Sequence, residues 1–539
     1  MRAVTHDRIR TTVSMWNRRQ LLKFGGSAVA CVGAPGILRA AAGQTRWRHF
    51  PFTLGVASGA PAADGFVAWT RLAPNPLSSD PLEPGGLSGG DIPLRYEVAE
   101  EPEMRQPVAS GTALAEARFA HSVHRQVDGL KPGRDYWYRF ISGNATSRIG
   151  HARTLAAPQT EVSALLTGFV SCSNYEQGYF AAYRHLADEH PAFVIYLGDY
   201  IYESCDRNSR DLVRSHSDGR EARDLHGYRN RYAQYQLDTD LARLRAASTS
   251  LVIWDDHEVS NDYGDLLSRE FVEPGEFARR RAAAYQAYYE HMPITPLRTP
   301  DGLSLRIYDR FRYGKLAEIH LTDARQYRSA AACHAPPNNL PGRMITDTEC
   351  PERLQEQRSI LGASQEQWLQ AGLAKSTSRW NVLAQSLLMA QMRRRNGAGE
   401  AIYWTDDWNG YPASRTRLLR TLHEARVRNV LVLSGDIHSY WANDLKLDFS
   451  DPASPTVATE FVGTSVSAHG PSFDFAAALP ENPHVRFFDP SQRGYATLRL
   501  SPQLAEVRFR AISDPRDVNA SVQTVRHFFV QGGRPGVAD

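Results

Sequence analysis

The chain has 539 residues, 42% hydrophobic and 22% charged, with a formal net charge of +3. This is the composition of an ordinary globular protein, long enough for a large core and more than one domain, without internal repeats or low-complexity tracts. The near balance of charge and the lack of a basic patch exclude a nucleic-acid or anionic-membrane surface as the basis of its function.

Residues 1–42 read as an address rather than as structure. Asn17-Arg18-Arg19-Gln20-Leu21-Leu22-Lys23-Phe24 is a twin-arginine pattern, followed by a mildly apolar segment from Gly25 to Leu38 and the small-residue cleavage site Ala40-Ala41-Ala42. The segment is too short and too rich in Gly and Ala for a transmembrane anchor. The competing reading is a basic N-terminal helix of a cytosolic protein. The expectation is a periplasmic or secreted protein that passes through the twin-arginine export machinery already folded, with its cofactor, and begins near Gly43.

Cysteine usage agrees with that compartment. Of the five cysteines, Cys31 leaves with the signal, and Cys172, Cys205, Cys333 and Cys350 remain. Cys333 and Cys350 flank a Pro-rich loop and are the natural disulfide pair in an oxidising environment, contributing on the order of 3 kcal/mol. No CxxC motif is present, which argues against a zinc ribbon or a thioredoxin-like centre.

Residues 50–155 read as a separate all-β module. Gly65-Phe66-Val67-Ala68-Trp69-Thr70 and Leu94-Arg95-Tyr96-Glu97-Val98 have strand length and pattern, and Pro74-Asn75-Pro76 and Gly85-Gly86 mark turns. The Leu-Lys-Pro-Gly turn within Val127–Phe140 feeds an aromatic strand in the manner of the tyrosine corner of fibronectin-type sandwiches. From 160 to 515 the pattern changes to alternating strand and helix, an α/β layered domain. Apolar runs lie at Leu165–Val170, Phe193–Leu197, Leu251–Trp254, Leu316–Leu321, Val382–Ala384 and Val430–Leu433. Phe277–His291 and Gln365–Ser376 are the clearest helices, with a shorter one expected at Pro351–Ile360. Tyr495–Ile512 alternates again and should return to the sheet edge, and residues 516–539 form a tail or lid. Phe475–Phe488 and His527–Val530 are the candidate lid segments.

The chemistry sits where the runs stop. Leu165–Val170 ends in Ser171-Cys172-Ser173-Asn174, and Phe193–Leu197 ends in Gly198-Asp199 with Tyr202 beyond. Leu251–Trp254 ends in Asp255-Asp256-His257-Glu258 with Asn261-Asp262 beyond, and Val430–Leu433 ends in Ser434-Gly435-Asp436-Ile437-His438. A lone Gly198-Asp199 would be an ordinary cap. Four such endings point to a metal site in the crevice where α/β folds bind ligands. Tyrosinate and thiolate suit ferric iron, whereas Asp and Asn oxygens suit calcium, magnesium or manganese, so the donor set implies one iron with one or more hard cations. A zinc pair would recruit more imidazole than His257 and His438.

GDYIYE, WDDHEVSND and LSGDIHSYW resemble the metallophosphoesterase pattern of the PhoD-like alkaline phosphatases, themselves similar to the purple acid phosphatases. Phe52–Gly59 with Trp69–Leu72 resembles that family's N-terminal module, and Leu321–Tyr327 and Asn381–Gln385 its central strands. The resemblance implies a layered αββα metallophosphoesterase domain preceded by a β-sandwich. It implies Asp199 bridging the metals, Cys172, Tyr202 and His438 on Fe3+, and Asp256, Asn261 and Asp436 on one or two Ca2+. Asp255 either ligates or only holds the loop. Cys172 has as its plain alternatives a buried inert thiol or a partner of Cys205. The implied activity is hydrolysis of small-molecule or cell-envelope phosphate esters by a metal-activated hydroxide without a phosphoserine intermediate. His257 would orient substrate or protonate the leaving alkoxide, or else only brace Asp256. Arg325 would reach a phosphate oxygen, or else form a salt bridge to Asp323 or a neighbour. Trp404, Trp408 and Tyr411 either line the pocket mouth or belong to the core. The rivals are a phospholipase D-type or teichoic-acid-type diesterase, a non-catalytic surface binding protein, and an intracellular nuclease.

Overall fold

The apolar runs are strands because each is a short stretch of β-branched, aromatic and leucine side chains that must be covered on both faces. The computed structural model describes residues 45–206, 211–270, 272–334, 340–471 and 475–538. The expected export signal at 1–42 lies outside the described residues. The first third supplies β1 (Val56–Ala62), β2 (Gly65–Arg71), β3 (Ile92–Ala99), β4 (Pro107–Ala115), β5 (Ser122–Val127), β6 (Asp135–Ser142), β7 (Ala145–Thr146) and β8 (Gly150–Arg153). The α/β region supplies β9 (Leu165–Val170), β10 (Phe193–Leu197), β11 (Thr249–Ile253), β12 (Asp309–Tyr313), β13 (Ala317–Leu321), β14 (Met344–Ile345) and β15 (Trp380–Ala384). It continues with β16 (Arg394–Arg395), β17 (Ala401–Trp404), β18 (Val430–Ser434), β19 (Tyr440–Lys446), β20 (Thr456–Val462) and β21 (Val485–Asp489). The chain closes with β22 (Arg493–Leu500), β23 (Leu504–Ile512) and β24 (Val522–Gln531).

Two large sheets pack face to face. One has nine strands in the order β24-β23-β22-β9-β10-β11-β1-β2-β5, and the other has seven in the order β12-β13-β15-β18-β20-β19-β21. Alternation along the second sheet sorts its side chains between two cores. Val382, Ala384, Leu431 and Leu433 point into the core shared with the long sheet, whereas Leu383, Val430 and Val432 meet the helices Ala363–Lys375 and Pro412–Glu424. The helices Ala181–Asp188, Leu225–Gln236, Thr239–Ala247 and Pro274–His291 contribute to the core of the long sheet, completing the αββα layering. Asp224 and Asp238 start two of these helices by accepting backbone N–H bonds, from Gly227 in the first case and from Asp240 and Leu241 in the second.

The N-terminal region is less separate than its sequence implies. β3, β4, β6, β7 and β8 form their own five-stranded sheet, but β1 pairs parallel to β11 (Ser58 with Thr249) and carries β2 and β5 onto the long sheet. The sandwich core, including Phe66, Tyr96, Tyr138 and Phe140, therefore lies between a private sheet and an extension of the α/β sheet. The physical reason is the edge of β11, which would otherwise present unpaired backbone groups. The tyrosine corner forms, with the Lys131 N–H donating to the Tyr136 hydroxyl at 2.8 Å.

At the other edge, Tyr495–Ile512 becomes β22 and β23, which return to the sheet against β9. The segment His527–Val530 belongs to β24, the outermost strand, and is no lid. Its Phe528 packs on Phe461, Phe487 and Phe509, because alternate residues of an edge strand must still cover the core. The helix expected at Pro351–Ile360 shortens to one 3-10 turn at Pro351–Leu354, since Gln355 is extended. Cys333 and Cys350 are joined in a disulfide. No helix among the described residues is long and apolar enough to cross a membrane.

Candidate metal centre

Three neighbouring parallel strands of the long sheet, β9, β10 and β11, end at Cys172, Asp199 and Asp255-Asp256, and β18 of the facing sheet ends at Asp436. The strand ends are drawn together by glycine. A Cβ on Gly198, which has φ +105°, would lie 2.5 Å from the Asp255 Cβ, and one on Gly435 would lie 2.5 Å from the Ser171 Oγ. The turns that follow are strained. Cys172, Asp199, Asp436 and His438 all have positive φ, between 52° and 65°. Left-handed backbone at non-glycine residues is costly and clusters where function requires a fixed side-chain direction.

The sequence-predicted ligands converge. Donor atoms of Cys172, Asp199 and His438 lie within 4.8 Å of one another, as do those of Asp199, Asp256 and His257, and those of Asp255, Asp256 and Asp436. The Tyr202 hydroxyl lies 3.1 Å from Asp199 Oδ2 and 3.1 Å from His438 Nε2. His438 Nδ1 lies 2.7 Å from the His469 carbonyl, so its proton sits there and Nε2 keeps its lone pair, the arrangement of a metal-binding imidazole. Burial, reinforced by the Arg493 charge, holds His438 down at about 3, and so neutral. Asn261 and Asp436 line a cavity of about 410 Å3 above this cluster, together with His438, Asp262, Asp406 and Trp404.

The charges do not balance within the protein. Burial pushes the carboxyls of Asp199 and Asp436 far above the usual range, and their acidic neighbours add to the effect. Burial likewise raises Asp255 to about 6, even with Arg325 opposing it. Asp255 Oδ2 and Asp256 Oδ1 are buried without a hydrogen-bond partner. Buried acids crowded in this way cannot all ionise unless cations are present, and the oxygen, sulfur and nitrogen donors here fit such cations.

The two predicted catalytic residues, Arg325 and His257, differ in environment. Arg325 is fully buried and absent from the cavity wall. Its Nε binds Asp255, its Nη1 donates to Asp406 Oδ2 at 2.7 Å, and its Nη2 lies 3.4 Å from Asp256. This corrects the phosphate-binding expectation, and the guanidinium does not pair with Asp323, whose Oδ1 accepts the backbone N–H groups of Arg325 and Gln326. His257 stacks on Tyr202 with centroids 4.1 Å apart, and its Nδ1 lies 2.7 Å from Glu203 Oε2. Burial opposes its charge, but Glu203, Asp199 and Asp256 outweigh burial and raise its pKa. Of the aromatic residues in the Tyr403–Tyr411 loop, Trp404 lines the cavity. Trp408 and Tyr411 are core residues, with polar atoms bonded to Gln385 and to the Ser329 carbonyl. Phe475, at the start of one candidate lid segment, also faces the cavity.

Sequence reasoning missed three residues here. Glu258 accepts backbone N–H bonds from Asp199 (3.1 Å), Tyr200 (2.6 Å) and Asp255 (2.9 Å), so one buried carboxylate ties the ends of β10 and β11 together. Asp262 and Asp406 form a further close group with Asp256. The available signals were the acid directly after His257, the Asn261-Asp262 pair, and the paired acids Asp406-Asp407 in a loop read mainly for its aromatics.

Layered sheets with a crevice of acids, histidine, tyrosine and thiol at the strand ends define a hydrolase of phosphoric esters when set beside known proteins. A family model described as PhoD-like phosphatase matches residues 166–509, and one for the PhoD-like phosphatase N-terminal domain matches residues 38–156. Alkaline phosphatase D of Bacillus subtilis (strain 168) is 40% identical over 495 residues, covering 90% of this chain and 82% of that protein. A solved structure of PhoD superposes with a TM-score of 0.85 at 39% identity, covering 92% of this chain and 93% of the other. The chain belongs to the PhoD-like phosphatase family.

Proposed function

We propose that the protein is an exported, metal-dependent alkaline phosphatase or phosphodiesterase whose cations sit at the ends of β9, β10, β11 and β18. The convergence of four strand ends on buried carboxylates, with Asp255 Oδ2 and Asp256 Oδ1 lacking hydrogen bonds, carries this reading. Cys172, Asp199, Tyr202 and His438 would hold Fe3+, and Asp256, Asn261 and Asp436 would hold Ca2+, with Asp199 shared. When bound, such cations supply Lewis acidity toward phosphate oxygens and a nucleophile at neutral to alkaline pH. The domain plan at 50–155 and 160–515 and the twin-arginine route belong to the same proposal, since a folded, loaded metalloprotein suits that route.

The surrounding side chains orient and move protons. Glu203 holds the Nδ1 proton of His257, leaving Nε2 to give a proton to the departing alkoxide. Arg325 acts behind the ligands as a positioning residue, holding Asp255 and Asp406 in place. Arg269 and Arg394 bring positive charge to the cavity wall, beside an apolar side formed by Met344, Leu388, Met392 and Phe475. That apolar side favours a second reading, a diester of the phospholipid or teichoic-acid type, because it has room for a second ester substituent.

Asp199→Asn tests the metal reading. Turnover is expected to fall by about a thousandfold or more with the fold retained. Unimpaired turnover would remove the proposed centre. A matched monoester and diester, compared by kcat/KM on the wild-type enzyme, separates the two substrate readings.

A further inference from the structure

A second group of potential ligands lies outside the strand-end centre. Glu176 follows the turn after Cys172, Cys205 follows Tyr202, and His216 comes from the next loop. A donor atom from each lies within 4.8 Å of the other two. His216 has its side chain fully shielded, and neither ring nitrogen has a hydrogen-bond partner. Its Nδ1 is 3.4 Å from Glu176 Oε1, and the Cys205 Sγ is 3.6 Å from the same oxygen. The ring packs beside both Tyr175 and Tyr235, tilted 22° and 21° from them at 5.8 and 5.9 Å, while those two rings are 5.4 Å from each other. Glu176 is itself held, with Oε2 accepting from the Asp206 N–H at 2.9 Å and Oε1 from the His216 N–H at 3.2 Å.

We propose that Glu176, Cys205 and His216 form a second metal site that binds a zinc-type divalent cation. A buried imidazole whose Nε2 has no partner and whose Nδ1 has only a 3.4 Å approach to Glu176 is costly, and a metal bond relieves it. One thiolate, one carboxylate and one neutral imidazole neutralise a divalent charge, and the sulfur–nitrogen–oxygen set with one open position is a zinc donor set rather than a calcium one.

The position gives the site a purpose. The Tyr235 hydroxyl accepts the backbone N–H groups of Tyr175 and Tyr202 at 3.0 and 3.1 Å, so the loops after β9 and β10 are already tied together at this depth. A cation on Glu176 and Cys205 would fasten the same two loops further out and add the His216 loop. It would hold Cys172 and Tyr202 in place from behind without touching substrate.

The test is Co2+ titration of metal-stripped Cys172→Ser protein, in which the other free thiol has been removed. The expected result is a thiolate-to-cobalt charge-transfer band that saturates at one equivalent and is displaced by Zn2+. The band should vanish in Cys172→Ser/Cys205→Ser and weaken at least tenfold in affinity in Cys172→Ser/Glu176→Gln. In the Cys172-containing chain, Cys205→Ser should lose one equivalent of zinc while the iron of the strand-end centre remains. A Cys172→Ser protein that is folded by circular dichroism yet shows no band, or zinc content unchanged by Cys205→Ser, would overturn the proposal.

Discussion

Glu258 is the residue on which the geometry of the centre most depends, although its hydrogen bonds go to backbone groups alone. Its two oxygens accept three backbone N–H bonds, from Asp199 and Asp255 on Oε2 and from Tyr200 on Oε1. In Glu258→Gln, the amide can keep its oxygen where Oε2 lies, which sets its NH2 against the Tyr200 N–H. The opposite flip leaves two N–H groups facing a donor. Either way at least one buried N–H loses its acceptor, at about 1–3 kcal/mol, and the remaining bonds lose their charge assistance. If about 2 kcal/mol of that strain is released by displacing Asp199 and Asp255, kcat falls by about thirtyfold. Steady-state kinetics with metal analysis of the same sample reads this directly. A variant that keeps full metal and kcat within about twofold of wild type would refute the idea that Glu258 sets the ligand positions.

Other outcomes follow from the same geometry. Glu203→Gln removes the carboxylate facing His257 Nδ1. It is expected to lower kcat by about 10- to 100-fold and to shift the pH profile, whereas a purely structural role would change stability alone. His124 is held at about 4, below its ordinary 6.5, because burial outweighs its hydrogen bonds to the Met292 and Tyr289 carbonyls. The unfolded chain therefore takes up this proton first as pH falls. The native state keeps its full stability above 6.5 and loses it progressively toward 4. His124→Gln, which keeps a donor for the Met292 carbonyl, should flatten part of that acid loss in denaturant midpoints measured across the window. His484, also at about 4, accounts for a further part.

The strand ends were legible because each announces itself locally: an uninterrupted apolar run, then an acid, thiol or histidine. β9 and β10 begin and end at the residues that the runs mark, and the disulfide joins the two cysteines that flank the Pro-rich loop. What was illegible depends on long-range pairing. Nothing within Val56–Ala62 announces that it will lie parallel to Thr249–Ile253, since the decision rests on an open sheet edge far along the chain. Arg325 had two readings, a phosphate ligand through its guanidinium fork or a salt bridge to Asp323 or a neighbour. Its burial between Asp255 and Asp406 arises only when segments some distance apart in sequence are folded together. The same holds for Asp406 beside Asp256, and for Glu258, whose partners are backbone groups with no sequence signature.

The most direct test of the proposed mixed-metal centre is elemental analysis with visible absorption on protein purified without chelator. Iron and calcium together, with a tyrosinate-to-iron charge-transfer band that Tyr202→Phe abolishes, is the predicted result. Protein that is fully active without iron, or that holds iron with no such band, would contradict the assignment of Cys172, Asp199, Tyr202 and His438 to a ferric site.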